Sequence, residues 1–115
     1  MKHATLYVGV EKDGGGKPLN PVVKARAMLH IRKTAATMFG GYTLTHIEGG
    51  WVNPQGELIM EGAVRLDLYA EAANEQFGAF ARLCMKELYQ AQVILEIQES
   101  GATLVQYEND QQKAA

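Results

Sequence analysis

Residues 41–68 constrain the fold of this chain most, because they have the pattern of two long strands joined by a tight turn. Asn53-Pro54-Gln55-Gly56 has turn composition. In the second strand the even-numbered residues Leu58 to Leu68 are apolar, apart from Gly62. The odd-numbered positions are Ile59, Glu61, Ala63, Arg65, Asp67 and Tyr69. Since side chains alternate across a strand, the pattern predicts one apolar face and one face with charges that need water or a binding partner.

The rest of the chain predicts two helices and three further strands around this hairpin. Residues 4–11 alternate as a first strand, and Asn20-Pro21 is a helix start that leads to Gly40-Gly41. Asn74 is the expected N-cap of a second helix, and strand four follows at Val93, Leu95 and Ile97. The expected buried stripe of the first helix is Val23, Ala27, Ile31, Ala35 and Met38, and that of the second is Phe77, Phe80, Ala81, Cys84 and Leu88.

This element order predicts an α+β, ferredoxin-like βαββαβ fold. Right-handed crossovers place both helices on one face of an antiparallel sheet and leave its other face open. We expect a short extra C-terminal strand at Leu104 and Val105. Residues 1–108 are expected to form one ferredoxin-like domain, and residues 109–115 a flexible polar tail.

Composition excludes several classes of function. The net charge is -2 and the basic residues are scattered, which argues against nucleic-acid binding. We expect no membrane span, since no run of about 18 apolar residues is present. A single cysteine, Cys84, suits the reducing cytoplasm. His3, His30 and His46 lack zinc-ligand spacing, so we expect no metal and no cofactor. His46 is either a plain hydrogen-bonded histidine, which is the favoured interpretation, or a side chain that reaches the open sheet face.

Glu61 and Arg65 are the candidate functional charges of the open face. They are four residues apart on one strand, so about 13 Å separates them. One interpretation is a solvated or mutually paired charged strand, which contributes little to stability. The other is that the glutamate orients or deprotonates an amine and the arginine binds a carboxylate or phosphate. Packing of another subunit over this face would desolvate both groups and favour the second interpretation.

Three further residues are candidate ligand contacts. Trp51, beside Gly49-Gly50, either caps the edge of the core or provides an aromatic wall for a base or sulfonium group. Lys17 ends a glycine-rich stretch, residues 13–17, that is not a Walker A motif and is expected to be a mobile loop able to close as a lid. Tyr7 on the first strand completes the candidate set.

The chain resembles the small phage-encoded S-adenosylmethionine (SAM) lyases. The similar stretches are residues 61–66, 81–84, 93–95 and 102–107. The resemblance implies a PII-like homotrimer in the host cytoplasm that binds a small adenosyl ligand between subunits. It further implies cleavage of SAM to methylthioadenosine and homoserine lactone. The key glutamate of the family falls on Glu61, and its key tyrosine falls near Gly50 or Trp51, where this chain has no tyrosine.

Three hypotheses on function remain open from the sequence. The first is a lyase that acts on SAM, or on a SAM–nucleotide conjugate used as a defence signal. The second is a non-catalytic oligomeric sponge or sensor for an adenine-containing molecule, which the missing tyrosine favours. The third is a structural or partner-binding oligomer whose charged face is merely packed. We expect a homotrimer because the open sheet face needs cover.

Overall fold

The computed structural model describes residues 1–105. Two helices pack on one face of a four-stranded antiparallel sheet with strand order β2-β3-β1-β4, which confirms the predicted α+β, ferredoxin-like architecture. The elements are β1 Lys2–Gly9, α1 Pro21–Phe39, β2 Thr43–Val52, β3 Leu58–Ala70, α2 Asn74–Glu87 and β4 Ile94–Glu99.

The β2–β3 hairpin is the longest feature of the sheet, and Asn53 and Gly56 fix its turn. The Asn53 side chain accepts hydrogen bonds from the backbone N–H groups of Gln55 and Glu57 at 3.0 and 2.9 Å. Gly56 has a φ of 81°, a conformation that only glycine adopts without strain. The strands pair from Thr43 opposite Asp67 to Val52 opposite Leu58, so the hairpin register follows from the turn.

Helix α1 begins as its sequence predicts. The Asn20 side chain accepts hydrogen bonds from the N–H groups of Val22 and Val23, and Gly40 ends the helix with a φ of 83°. Of the expected stripe, Ala27, Ile31 and Ala35 are buried. Val23 and Met38 are exposed, and Met28 and Phe39 are buried in addition to the expected residues. Phe39 stacks on Phe77, which explains why it enters the core at the end of the helix.

Helix α2 buries the predicted stripe but starts differently. Its N-cap is Ala73, whose N–H donates to the Gln76 side chain at 2.7 Å, and Asn74 is the first helical residue. Asn74 instead accepts a hydrogen bond from the Lys2 ammonium at 3.0 Å. The expected stripe of α2 is confirmed as buried. Together with α1 and the even-numbered residues of β1 and β3, it forms the core between the helices and the sheet.

The chain after β4 departs from the prediction. Leu104 and Val105 lie in no strand and are 68% and 87% exposed, so the expected short fifth strand is wrong at these residues. Backbone pairing with β1 continues as far as Ser100, whose N–H donates to the Met1 carbonyl, and the Ser100 hydroxyl then accepts from the N–H of Ala102. Leu104 and Val105 lie beyond this point, where the pairing of β4 with β1 has ended. The predicted domain end at residue 108 and the predicted tail, residues 109–115, lie outside the described residues. In residues 1–105 no helix has the length and apolar character needed to span a membrane.

Candidate ligand-binding face

The open face of the sheet carries the odd-numbered residues of β1, β2 and β3. The register places Tyr7 opposite Arg65, and it places Thr5 opposite Asp67. At the other end of the face, Gly49 lies opposite Glu61. Four of the five candidate residues therefore lie on this face, and Lys17 is the exception. Tyr7 and Arg65 lie together, whereas Glu61 and Trp51 lie further along β3 toward the hairpin turn.

At Glu61, strand β3 pairs with another strand on one side only within residues 1–105. Strand β1 ends at Gly9, opposite Ala63, so it does not extend alongside Glu61. On the other side Gly49 has no side chain, and the space that a Cβ would occupy there is open, with the Glu61 carbonyl oxygen 4.0 Å away. Trp51 is the diagonal neighbour of Glu61 across the β2–β3 pair, and such diagonal side chains lie within reach of a large ring. The Glu61 side chain is half-buried, and within residues 1–105 it forms no side-chain hydrogen bond or ion pair. A carboxylate and an indole are therefore neighbours on this part of the open face.

Arg65 is already bound within the chain. Its Nε and Nη2 groups donate to the two carboxylate oxygens of Asp67 at 3.0 and 3.1 Å. The guanidinium carbon also lies 5.7 Å from the centre of the Tyr7 ring, within cation–π range. Arg65 and Tyr7 are thus brought together, but the bidentate donors expected to bind a ligand are used by Asp67.

Asp67 is the centre of a polar network that the sequence analysis did not identify. It accepts hydrogen bonds from Thr5 at 3.1 Å and is joined to His3 Nε2 at 2.7 Å. The His3 ring in turn stacks on Tyr69, with ring centres 4.3 Å apart. We call Arg65, Asp67, His3, Thr5 and Tyr69 the Asp67 network. The signal in the sequence was the alternation of polar His3, Thr5 and Tyr7 along β1, which matches the alternation of β3.

The electrostatics of the Asp67 network favour its charged form. Partial burial alone would raise the pKa of Asp67, but hydrogen bonds from Arg65, His3 and Thr5 outweigh it and lower the pKa below its usual value. The hydrogen bond and charge of Asp67 raise the pKa of Arg65 in return. Both groups are therefore charged over the whole physiological range of pH.

The Asp67 end of the face also borders a cleft of about 410 Å³. Its lining includes Met1, Phe39, Tyr42, Asp67, Tyr69 and Leu104. Glu61 is not among the lining residues, since it lies six positions, about 20 Å, along β3 from Asp67. The cleft and Glu61 are therefore different places on the molecule.

Lys17 is held in an ordered turn. The Asp13 carboxylate accepts hydrogen bonds from the N–H groups of Gly15 and Lys17 at 2.8 and 2.9 Å. The Gly14 N–H donates to the Tyr89 carbonyl at 2.7 Å, which ties the turn to the end of α2. The stretch expected to be a mobile loop thus forms a hydrogen-bonded turn in this structure. Within residues 1–105, no side-chain hydrogen bond or ion pair joins Lys17 to the other four candidates.

The histidines lie apart from one another. His46 is opposite Val64 and lies on the α1 side of the sheet, which rules out the alternative that it reaches the open face. Its even-numbered position on β2 determines this side. His30 pairs with Glu87 at 2.6 Å on the helix side. In the described part of the chain, no group of three or more His, Cys, Asp or Glu side chains is arranged to hold a metal ion.

Solved structures similar to this one include a phage SAM lyase in two states. The complex with S-methyl-5'-thioadenosine is 25% identical over 85% of this chain and 80% of its own, with a TM-score of 0.56. The apo state is 22% identical over 93% and 92%, with a TM-score of 0.60. The chain is structurally similar to a phage SAM lyase. This finding confirms the resemblance noted from the sequence.

A wider set of structures shares the fold alone. The periplasmic divalent cation tolerance protein CutA from Archaeoglobus fulgidus matches with a TM-score of 0.54 over 89% of this chain and 87% of its own, at 8% identity. No family model and no curated protein sequence matches the chain. The similarity to the lyase therefore rests on structure and on an identity of one residue in four.

Proposed function

We propose that this protein is an enzyme that cleaves SAM, or a SAM–nucleotide conjugate, to methylthioadenosine, or its nucleotide, and homoserine lactone. The observation that carries the proposal is the match to a phage SAM lyase solved with S-methyl-5'-thioadenosine, at 25% identity over 85% of the chain. In a phage such an enzyme would act in the host cytoplasm, where removal of SAM or of a SAM-derived signal serves counter-defence.

The proposed reaction needs no nucleophile from the protein. The carboxylate oxygen of the methionine moiety attacks its own γ-carbon, and a carbon–oxygen bond forms as the carbon–sulfur bond breaks. The electron pair of that bond goes to sulfur, so the sulfonium becomes a neutral thioether and the carboxylate becomes a lactone. No proton, oxidant or metal is required for the balance. The task of the site is to hold the methionine chain in attack geometry and to exclude water.

We assign the central role in this site to Glu61. Its carboxylate is half-buried beside Gly49 and has no partner within residues 1–105, so it is free to hold the α-ammonium of the substrate. Trp51, on the same face and 53% exposed, would stack on the adenine or the sulfonium. Arg65, which Asp67 and Tyr7 hold in place, would support the site from further along β3. Lys17 remains a candidate contact with the nucleotide part of a conjugate.

We further propose that a homotrimer completes the site. The tip of the β2–β3 hairpin exposes large apolar side chains on both of its faces. These are Trp51, Val52, Leu58 and Met60, which are 53–65% exposed. Contiguous exposed apolar groups on a projecting hairpin mark an interaction surface. Packing of this tip against neighbouring copies would also cover Glu61, which within residues 1–105 has a strand on one side only.

Trp51 supports a second candidate function. An indole can stack on a ligand, but it cannot donate a phenolic proton as the tyrosine of the resembled family can. A protein with this replacement could retain SAM-like molecules without cleaving them. The second candidate is therefore a non-catalytic sponge or sensor for an adenine-containing small molecule.

One experiment separates these functions. Purified protein is incubated with SAM, and methylthioadenosine is measured by mass spectrometry alongside the melting temperature with and without ligand. Product above the uncatalysed background supports the lyase. A ligand-induced rise in melting temperature without product supports the sponge. If neither product nor a rise in melting temperature is seen with SAM or with adenosyl nucleotides, both proposals are contradicted. The structural or partner-binding oligomer is then the remaining hypothesis.

A further inference from the structure

A groove lies on the helix side of the sheet, across the sheet from Glu61. Helix α1, strands β2 and β3, and Val10 border about 360 Å³ of open space there. Its floor is apolar and buried, formed by Val10, Met28 and Val64. Its walls carry three basic side chains, Lys24 and Arg32 from α1 and His46 from β2.

Two cationic side chains of α1, Lys24 and Arg32, line this groove. Lys24 and Arg32 are eight residues apart, about 12 Å along the helix, and both are half-buried. Helix α1 contains no acidic residue, although the chain has more acidic than basic residues, 13 against 11. Within residues 1–105 neither Lys24 nor Arg32 is part of an ion pair. The ordinary explanation is that their aliphatic stems cover the apolar floor while the charged groups stay in water.

Opposite charges lie at the two ends of the groove. Glu48 lies on the same sheet face, opposite Gly62, and the Glu11 carboxylate occupies the space above Gly62. The carboxylates thus lie toward the hairpin, and the cations lie beside α1. A ligand with one strongly anionic end suits the α1 side, because Lys24, Arg32 and His46 line the groove there and the carboxylates, which would repel it, are further along.

We propose that this groove binds a small organic phosphate, a compound with an apolar body and a single phosphate group. The apolar body rests on Met28 and Val64, and the phosphate lies between Lys24, Arg32 and His46. The volume is in the range of small-molecule sites, which combine an apolar lining with a few polar groups. Arginine and lysine together are the usual partners of phosphate. This site is independent of the proposed lyase chemistry, since it lies on the other side of the sheet.

The test is a titration of the full-length protein with phenyl phosphate, followed by two-dimensional NMR. We expect saturable shifts of the Met28 and Val64 methyl signals. Phenol, the matched neutral probe, is expected to bind about tenfold more weakly or worse. Lys24→Gln and Arg32→Gln should each weaken binding of phenyl phosphate about fivefold or more, because each removes one charge from the wall.

Matched controls come from the same helix. Arg26 and Lys33 are exposed on α1 and do not line the groove. Arg26→Gln and Lys33→Gln remove the same charge and should leave binding unchanged within about twofold. An equal loss in these controls would overturn the proposal, since it would show only general attraction to a basic helix. Equal affinity for phenol, or no saturable shift up to about 10 mM, would overturn it as well.

Discussion

Each end of the open face of β3 carries a carboxylate, but the two carboxylates differ in whether other side chains of residues 1–105 bind them. At one end the Asp67 carboxylate is bound by Arg65, Thr5 and His3. At the other end Glu61 faces a glycine and an indole, and no side chain in residues 1–105 pairs with it. A charge that its own chain satisfies stabilises the fold, whereas an unsatisfied, half-buried charge is where an external partner is expected.

The neighbouring strands cause this difference. Strand β1 places His3, Thr5 and Tyr7 opposite β3 residues 69, 67 and 65, and then ends at Gly9. The Val10 N–H still donates to the Gly62 carbonyl at 3.2 Å, and within residues 1–105 the last part of β3, from Glu61 to Leu58, pairs with β2 alone. The tip of the hairpin therefore projects past the rest of the sheet. Glu61 is the first charged residue of β3 in this projecting part. The projection therefore separates a structural charge from a candidate functional one.

The largest expected effect is on the trimer, whose subunits are proposed to pack over Glu61. Met60→Asp places a charge among the exposed apolar residues of the hairpin tip, and a charge that is desolvated without a partner is strongly unfavourable. We expect the variant to be a folded monomer, while the parent protein has three times the chain mass of 12.6 kDa. Light scattering after size-exclusion chromatography measures both.

Val22 on α1 provides the control for this change, since it and Met60 are each 59% exposed. Val22→Asp should leave the oligomer intact. A parent protein that is monomeric at micromolar concentration would contradict the interfacial site, and so would a Met60→Asp trimer.

The second effect tests the Asp67 end as a structural element. Asp67→Asn removes the anion that Arg65 and His3 bind, and we expect a loss of about 1–3 kcal/mol in the free energy of unfolding. Urea denaturation measures it. Glu71→Gln is the matched control, since the Glu71 side chain is 81% exposed in its pair with the Met1 ammonium. That change should cost less than about 1 kcal/mol. Equal losses in the two variants would refute a special role for Asp67.

The third effect concerns Trp51 as a stacking surface. Trp51→Ala should weaken binding of S-methyl-5'-thioadenosine about tenfold, since stacking of a base on an aromatic side chain contributes about 1–3 kcal/mol. Trp51→Phe should retain most of the affinity because a ring remains. Calorimetric titration of the three proteins gives the comparison. Unchanged affinity in Trp51→Ala would remove Trp51 from the site.

The smallest effect is the pH dependence of stability at the Asp67 end. The pKa of Asp67 is lowered in the folded protein from an ordinary value of 3.8. Its contribution to stability is therefore fully present above about pH 4 and is lost as pH falls through the folded pKa. The difference in stability between the parent and Asp67→Asn should shrink below about pH 4. A difference that stays constant down to pH 2 would show that the carboxylate charge is not its cause.

The sequence predicted the architecture well because alternation and capping are local signals. The alternation of β3 and the Asn20-Pro21 helix start correspond directly to observed elements. The fifth strand at Leu104 and Val105 failed, since strand pairing depends on a partner that the sequence does not reveal. The side of the sheet on which His46 lies also required the register of β2 against β3.

The site was predicted only in part for the same reason. Arg65 and Glu61 were identified as charges on one face, and they do lie there. Asp67 has partners from β1, His3 and Thr5, whereas Glu61 has no side-chain partner within residues 1–105. This difference follows from the end of β1 at Gly9, which no pattern within β3 indicates. The ordered turn around Lys17 likewise depends on a hydrogen bond to Tyr89, far away in the sequence.

The most direct test of the central claim is the turnover of SAM by Glu61→Gln beside the parent protein. Glu57→Gln, in the exposed hairpin turn, is the matched control. We predict that methylthioadenosine formation falls about 100-fold or more in Glu61→Gln, with an unchanged oligomer and melting temperature, and stays at the parent rate in Glu57→Gln. Product formation at the parent rate in Glu61→Gln would contradict the assignment of Glu61 as the residue on which the chemistry depends.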